Sequence, residues 1–343
     1  MSIAFRSLGE VDPAQVRELL VRKSWKRDWS EELAERYVAW RYGERADGDT
    51  LVACDNGRCV GILDSFIRPY WIADRQEIVR ETCDWFCLPE YRALGVGLHL
   101  MRRMMAKPEP ILVIGGTEHT QNLLPRLKWT RLPDVGNFIL GVSARTVAGL
   151  VTHSRWQAGV KLARLVPPIP LVRRLPHVAS PSADSQVRVR VSGEAGPISR
   201  PAPYALAPTL DAAFLDWLAR APDVLGQFLV LSFLCDGEPV GTSISRLQEL
   251  PSFGTTAQIV HVHAARFEIV DWMVNATVHE LIGRGVGAVS CRTSCPATAG
   301  ALSALGFWRR KPSPAYGWGA DKLPSSEPLH LTTLQADDAL QFR

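Results

Sequence analysis

The sequence predicts an α/β chain (an α+β mixed sheet) in two similar domains joined by a basic, proline-rich linker. Three observations carry that expectation. Segments with strand and helix periodicity follow one another in the same order in both halves of the 343 residues. A hairpin pattern, Asp-Asn-Gly-Arg-Cys-Val-Gly at residues 55–61, returns as Asp-Gly-Glu-Pro-Val-Gly at 236–241. Between the halves, residues 144–183 hold six Arg or Lys side chains and no acid, with prolines at 167, 168, 170 and 176 that end a helix and stiffen the connection. A repeat of ~150 residues means two copies of a domain rather than a solenoid. The expected divisions are residues 1–143, a linker at 144–185, a second domain at 186–320 and a tail at 321–343.

Taken in order, Ile3 and Phe5 alternate as a strand, and Asp12-Pro13 opens a helix carrying Val16, Leu19 and Leu20. Ser30-Glu31-Glu32 opens another, running through Leu33, Tyr37 and Trp40. Residues 51–54 and 59–67 flank the first hairpin turn, where Asn56-Gly57 supplies positive φ. Residues 79–88 read as a strand that Pro89 terminates. Leu98, Met101, Arg102 and Met105 then recur at helical spacing. Between them lies Arg92-Ala93-Leu94-Gly95-Val96-Gly97, a turn whose glycines let backbone N–H groups crowd around an anion at a helix N-terminus; a diphosphate suits it. A short strand at 111–115, a helix at 121–127 and a strand at 137–142 complete the first half. The second half reads as a strand at 186–191, a helix at 210–218, a hairpin at 228–245, a strand at 257–263, a helix at 269–282, a strand at 288–292 and a helix at 296–305.

Composition narrows the function. Hydrophobic content of 46% with 22% charged residues is ordinary for a globular chain. A net charge of +4, without a basic run interleaved with aromatics, argues against a nucleic-acid binder. Seven cysteines without zinc-site spacing read as reduced core thiols, with no metal. No secretory h-region precedes the first strand and no apolar run reaches the ~18 residues that cross a bilayer, so the expected setting is cytoplasmic. In the linker, Val147, Val151, Ala158, Leu162 and Leu165 form an apolar stripe beside His153, Gln157, Lys161 and Arg164. That is an interdomain helix with one packed face, or a peripheral contact with an anionic membrane through 144–175.

The order strand–Pro89-x-x-Arg92-x-x-Gly95-x-Gly97–helix resembles the acyl-CoA signature of the GCN5-related N-acetyltransferases. It lacks the third glycine and following acid of a dinucleotide fingerprint, and no Gly-Lys-Ser/Thr makes it a P-loop. The element order extends the resemblance over about the first 142 residues, and residues 299–307, Ala-Gly-Ala-Leu-Ser-Ala-Leu-Gly-Phe, resemble the family's fourth-helix signature in the second half. What the resemblance implies is a tandem acetyltransferase with acetyl-CoA as co-substrate. It assigns the pantetheine arm to Trp85, Phe86, Cys87 and Leu88, and the pyrophosphate to Arg92, Ala93, Leu94, Gly95, Val96, Gly97 and Leu98. Thr117 stands at the family's usual Asn, and Leu124 at its usual acid, a Tyr.

Proton transfer must therefore come from elsewhere, and the candidates are Glu81, Asp84, Glu118 and His119. Strand parity puts Glu81 and Asp84 on opposite faces of the sheet. Cys87 reads as a buried thiol rather than a nucleophile. In the second half His263-Ala-Ala-Arg-Phe-Glu268 replaces the glycine loop, so a Cβ blocks the backbone and Glu268 repels phosphate; Gly285 and Gly287 come after the helix. Only the first half is expected to bind cofactor. The expected reaction is transfer of an acyl group to a primary amine of a small molecule. The aromatics Trp25, Trp29, Trp40, Tyr42, Tyr70 and Trp71 would suit a sugar ring or another flat, polar acceptor, and the resemblance alone points to an amino sugar. Alternatives are an aminoacyl-tRNA-dependent transferase of the peptidoglycan-bridge type and a catalytically silent acyl-CoA-binding scaffold.

Overall fold

Both halves build a hairpin-led antiparallel set of strands, and their last strands cross over. The structure, a computed structural model, describes residues 3–22, 30–44, 49–153, 165–172, 175–190, 201–250, 252–319, 323–324 and 328–335. In the first half β1 (Ile3–Ser7) leads to helices α1 (Pro13–Arg22) and α2 (Glu31–Val38). Ser30 caps α2 by accepting the Leu33 N–H at 3.2 Å. One wide π-type turn, Ala39–Gly43, prolongs α2. Next come β2 (Leu51–Asp55), β3 (Arg58–Ile72), β4 (Arg75–Cys87), α3 (Val96–Met105), β5 (Ile111–Ile114), α4 (Glu118–Arg126) and β6 (Thr130–Gly141).

Helix α5 (Ala144–His153) begins the connection. The second half comprises β7 (Gln186–Arg190), β8 (Leu206–Pro208), α6 (Ala212–Ala219), β9 (Gln227–Cys235), β10 (Glu238–Leu250), β11 (Gly254–Ala264), α7 (Val270–Gly283), β12 (Val286–Thr293), α8 (Pro296–Ala304) and β13 (Trp308–Trp318). The helix and hairpin positions agree with the sequence reading to within a few residues, as expected where caps and turn glycines mark the ends.

Two strands were not visible in the sequence. β3 runs past residue 67 to Ile72, because β8 joins its far end with Tyr70 opposite Pro208. β13 carries Pro312 and Pro314, which read as a loop; they fall where its register against β6 slips between Arg310 and Ala315.

The strands form one continuous sheet in the order β1-β2-β3-β4-β5-β13-β6-β12-β11-β10-β9-β7, with β8 beside β3. β13, from the second half, pairs antiparallel with β5 of the first, placing Tyr316 opposite Val113. β6, from the first half, pairs antiparallel with β12 of the second, placing Phe138 opposite Cys291. Each half thus covers the edge that the other would leave open.

A second junction is aromatic. Trp40, on the π-type turn, stacks on Trp217 of α6 with centroids 4.4 Å apart and rings 3° from parallel. Each indole N–H donates to the other's backbone carbonyl, at 2.9 and 3.0 Å. Both rings are buried, so apolar area and hydrogen bonding act together. Trp40 and Tyr70 are thus core residues, not the open platforms expected of an acceptor site; Trp25 and Trp29 lie outside the described residues.

The seven cysteines are buried and free. In the linker, Thr146 donates to the Phe253 carbonyl at 2.7 Å and Val147 packs on Gly141, while Val151 and Leu165 of the apolar stripe are exposed. Arg155, Gln157, Ala158, Lys161, Leu162, Arg164, Arg173 and Arg174 lie outside the described residues. No helix among the described residues is long and apolar enough to cross a membrane.

The tryptophan pair gives a stability test. Trp217→Ala should lower the free energy of urea unfolding by about 3–5 kcal/mol. Trp217→Phe, which keeps a ring but strands the Trp40 carbonyl, should cost about 1–2 kcal/mol.

Candidate active site

The site begins where a ladder stops. β4 and β5 pair in parallel only at Arg80↔Ile111 and Glu81↔Leu112. Just beyond, β4 takes an extra residue relative to β3: Ile62 lies opposite Phe86, but Asp64 lies opposite Cys83. Asp84 absorbs that bulge with φ +49°. The strands then diverge, and the β5-side edge of β4 beyond Glu81 has no ladder partner among the described residues. A strand edge that has left its ladder suits an amide-bearing arm. Trp85, Phe86, Cys87 and Leu88 line it, Trp85 and Phe86 half-buried. Burial pushes the Cys87 thiol up, which makes it a poor nucleophile.

The glycine turn follows at the same end. The Gly95 N–H closes on the Arg92 carbonyl at 3.0 Å, and Gly95 adopts φ +71° as the N-cap of α3. A left-handed N-cap without a side chain leaves the first N–H groups of α3 uncapped, and Arg92, Ala93 and Leu94 stand exposed beside them. Gly97 is needed for a different reason. A Cβ there would stand 3.3 Å from Trp85 Nε1, whose N–H donates to the Gly97 carbonyl at 2.9 Å. The Tyr91 hydroxyl ties the turn to the first hairpin through Asp55, at 2.9 Å.

The bulge overturns the parity argument for the carboxylates. Glu81 and Asp84 lie on one face, joined by a chain of contacts. Arg68 Nε lies 3.4 Å from Glu81, and its guanidinium covers the Phe66 ring at 4.6 Å. Arg41 covers that ring at 4.3 Å, and its Nε stands 3.9 Å from Asp84. Arg41 also pairs with Asp64 at 3.1 Å, and Asp64 accepts the Thr50 hydroxyl at 2.6 Å. Tyr70 donates to Glu81, and Tyr42 donates to Asp84 at 2.9 Å. Burial, followed by those carboxylate charges, raises both phenol pKa values, so both stay donors. Burial opposes the Arg41 charge, but the Cys83, Asp64, Tyr37 and Asp84 side chains outweigh it and raise its pKa.

The other candidates stand apart from this set. Glu118 and His119 are exposed on the first turn of α4. Thr117 is the N-cap of that helix, its hydroxyl accepting the Thr120 N–H at 3.3 Å. Leu124 is fully buried in the core. A tyrosine does face α4, but it comes from β13: Tyr316 donates to the Gln121 carbonyl at 3.4 Å and accepts from Arg131 at 2.9 Å. Sequence reasoning missed Arg41, Arg68 and Tyr316. Only the alternation Asp64-x-Phe66-x-Arg68-x-Tyr70 signalled a polar stripe on one strand face.

The buried charges make a sharp prediction. Arg41→Met leaves Asp64 and Asp84 without their cation and should cost about 3–5 kcal/mol in urea unfolding at pH 7. The deficit should shrink as pH falls through the carboxylate range, because folding of the variant then favours the protonated acids.

The acetyltransferase (GNAT) family model matches residues 16–109, the stretch that ends just before β5. Among solved structures, a GCN5-related N-acetyltransferase from Anabaena variabilis aligns with a TM-score of 0.58 at 12% identity, covering 92% of this chain and 72% of that one. A probable N-acyltransferase from Enterococcus faecalis aligns at 0.56 and 9% identity, with the same coverages. A tandem GNAT protein from the clavulanic acid biosynthesis pathway aligns at 0.51 and 12% identity, over 92% of this chain and 98% of that one. No curated protein matches by sequence. Residues 16–109 are thus similar to the acetyltransferase (GNAT) family, and the chain as a whole has a fold similar to that of a tandem GNAT protein.

Proposed function

We propose that the chain is an N-acyltransferase that takes an acetyl group from acetyl-CoA and passes it to a primary amine of a small molecule, with the cofactor held by the first half. One observation carries this reading: the opening between β4 and β5 leads directly to the uncapped, glycine-lined N-terminus of α3. Pantetheine amides would pair with the β4 backbone at Trp85–Leu88, and the diphosphate would lie on the N–H groups of residues 95–98 with Arg92 beside it. The second half offers no such cradle. Before α7 it has Ala265 and Arg266, then a tight turn at Phe267–Ile269, and Glu268 and Asp271 already supply negative charge at that helix start.

Amide formation needs a neutral amine to attack the thioester carbonyl and a proton for the leaving thiolate. Glu81 and Asp84 each face an arginine and are almost wholly buried, so they hold the bulge and its charge rather than shuttle protons. The exposed Glu118 and His119, at the end of β5, are assigned the transfer; histidine is the residue type most used for it. Burial of free thiols suits a cytoplasmic setting. An amino sugar fits as acceptor less well than the aromatic count suggested, since Trp40 and Tyr70 are core residues.

Leu124, apolar where the family has its tyrosine, favours a second reading: a protein that holds acyl-CoA without turnover. Release of free CoA from acetyl-CoA with a panel of primary amines separates the two. Turnover that falls about 100-fold in Glu118→Gln plus His119→Asn, with unchanged acetyl-CoA affinity, supports the enzyme as described. Binding without turnover toward every amine supports the scaffold. Calorimetry tests the cradle itself: Gly95→Glu plus Gly97→Glu should weaken acetyl-CoA at least about 100-fold, while Glu268→Gln should leave it unchanged. Equal binding by the double variant would place the cofactor elsewhere.

A further inference from the structure

The second half keeps a splayed-strand opening of its own, and that opening is filled. β11 and β12 pair in parallel from Thr255↔Val286 to Ile259↔Cys291 and then part. Beside the parting point β11 carries a bulge, with Ile244 opposite His261 but Ser245 opposite Ile259. This matches the bulge of β4 at Asp84 and the early end of its ladder to β5.

Residues 328–335 run into the gap. On the β12 side Thr332 bridges Thr293 antiparallel, the Ser294 N–H donates to the Leu331 carbonyl at 2.8 Å, and the Leu331 N–H returns to Ser294 Oγ at 2.9 Å. Thr333 spans the gap. Its hydroxyl accepts the Arg292 N–H at 3.2 Å and donates to the Ile259 carbonyl of β11 at 3.4 Å. Thr332 Oγ1 lies 2.9 Å from His261 Nδ1. His330 is slotted between two rings, 4.6 Å from His261 and 4.4 Å from Tyr204, and its backbone N–H donates to the Leu206 carbonyl at 2.7 Å. Burial, with His263 adding to it, pushes His330 down to about 3; burial, His330, His263 and Arg68 push His261 well below its ordinary range, so both rings stack neutral. From Leu329 to Gln335 every residue is buried.

These are the contacts that an amide-bearing arm would make: groups satisfying an N–H of one strand and a C=O of the other where their ladder stops. We infer that the C-terminal segment 328–335 is the resident ligand of the second opening, bound there in place of an acyl-carrying arm, so that the chain offers one cofactor site and not two. A tethered segment has a high effective concentration and meets no separate association cost, so free cofactor competes poorly. The far end of the opening agrees, because Phe267 packs edge-on against Tyr204 at 5.0 Å where a phosphate turn would have to open. The segment also touches the first half. Leu329 and Leu331 are buried in one apolar cluster with Tyr70, Val79 and Leu112, and Gln335 Oε1 accepts the Thr332 N–H at 2.7 Å. That the segment fills the second opening is argued from contacts of the second half; that this leaves one cofactor site rests on the acyl-CoA reading of the first half.

Hydrogen exchange on the full chain, read by mass spectrometry with and without free coenzyme A, tests it. Peptides over 290–295 and 328–335 should exchange together, at least about 100-fold slower than an unstructured chain, and unchanged by coenzyme A. Thr333→Val should speed both peptides about tenfold and leave those over 79–88 and 96–105 as they were, whereas Thr333→Ser should behave as wild type. Three results would overturn the proposal: tail exchange at the unstructured rate, acceleration of the tail by coenzyme A, or a Thr333→Val effect confined to the tail. Should Thr333→Val unfold the chain, His330→Ala read in the same two peptides decides between the same outcomes.

Discussion

The fold turns on two parallel ladders that are not allowed to continue. A parallel pair normally zips along its length, each residue satisfying the next strand's backbone. Here β4 holds β5 for two residue pairs, and β11 holds β12 for five, before a one-residue bulge bends the longer strand away. Buried backbone groups left in such gaps must find partners. The C-terminal segment is drawn into the second gap, while β13 and β6, exchanged across the middle, and β8, laid along β3, cover strand edges away from the gaps. The gap between β4 and β5 meets a glycine turn instead.

The bulge also explains the charge on its concave face. Left-handed backbone at a non-glycine residue is costly and persists only where its surroundings over-determine it. Asp84 is fixed by Tyr42 from one side and Arg41 from another, and Arg41 is fixed in turn by Asp64 and Cys83. Phe66, between the two guanidinium groups, lets cations stand close to both carboxylates while keeping water out. Phe214 of α6 covers Arg68 from the second half, at 3.8 Å. The face that shapes the opening is therefore completed only when both halves are folded together.

Local chemistry made a good part of this readable in advance. Asn56-Gly57 and Asp236-Gly237 mark their hairpins because both turns need positive φ, and both show it. Gly95 and Gly97 stood out as glycines that let backbone N–H groups gather at a helix start, and the structure adds that Gly95 is a left-handed N-cap and that Gly97 packs against Trp85. What stayed hidden was non-local. Parity counting failed at Asp84 because it assumes an unbroken pleat, and nothing in Cys83-Asp84-Trp85 announces an inserted residue. The partners Arg41, Arg68 and Tyr316 reach the site from three distant stretches of chain. β13 was hidden by its prolines, and residues 328–335 by an ordinary mixture of Leu, Thr and Gln that resembles any polar-apolar tail.

The asymmetry between the halves follows from these same parts. A cofactor with a diphosphate at one end and amides along its arm needs both an anion cradle and an unfilled gap between strands. At the first half's opening the cradle is free of side-chain caps and carries no acid in the first turn of its helix. At the second, on the proposed reading, Glu268 and Asp271 would take the electrostatic role of a phosphate and Thr333 the hydrogen-bonding role of an amide. Restoring glycines to 265–268 would thus not create a second site while the tail remains. Removing the tail would expose two strand edges to water without supplying an anion cradle. The two changes reinforce each other, and together they leave the second half a completed scaffold that frames the first.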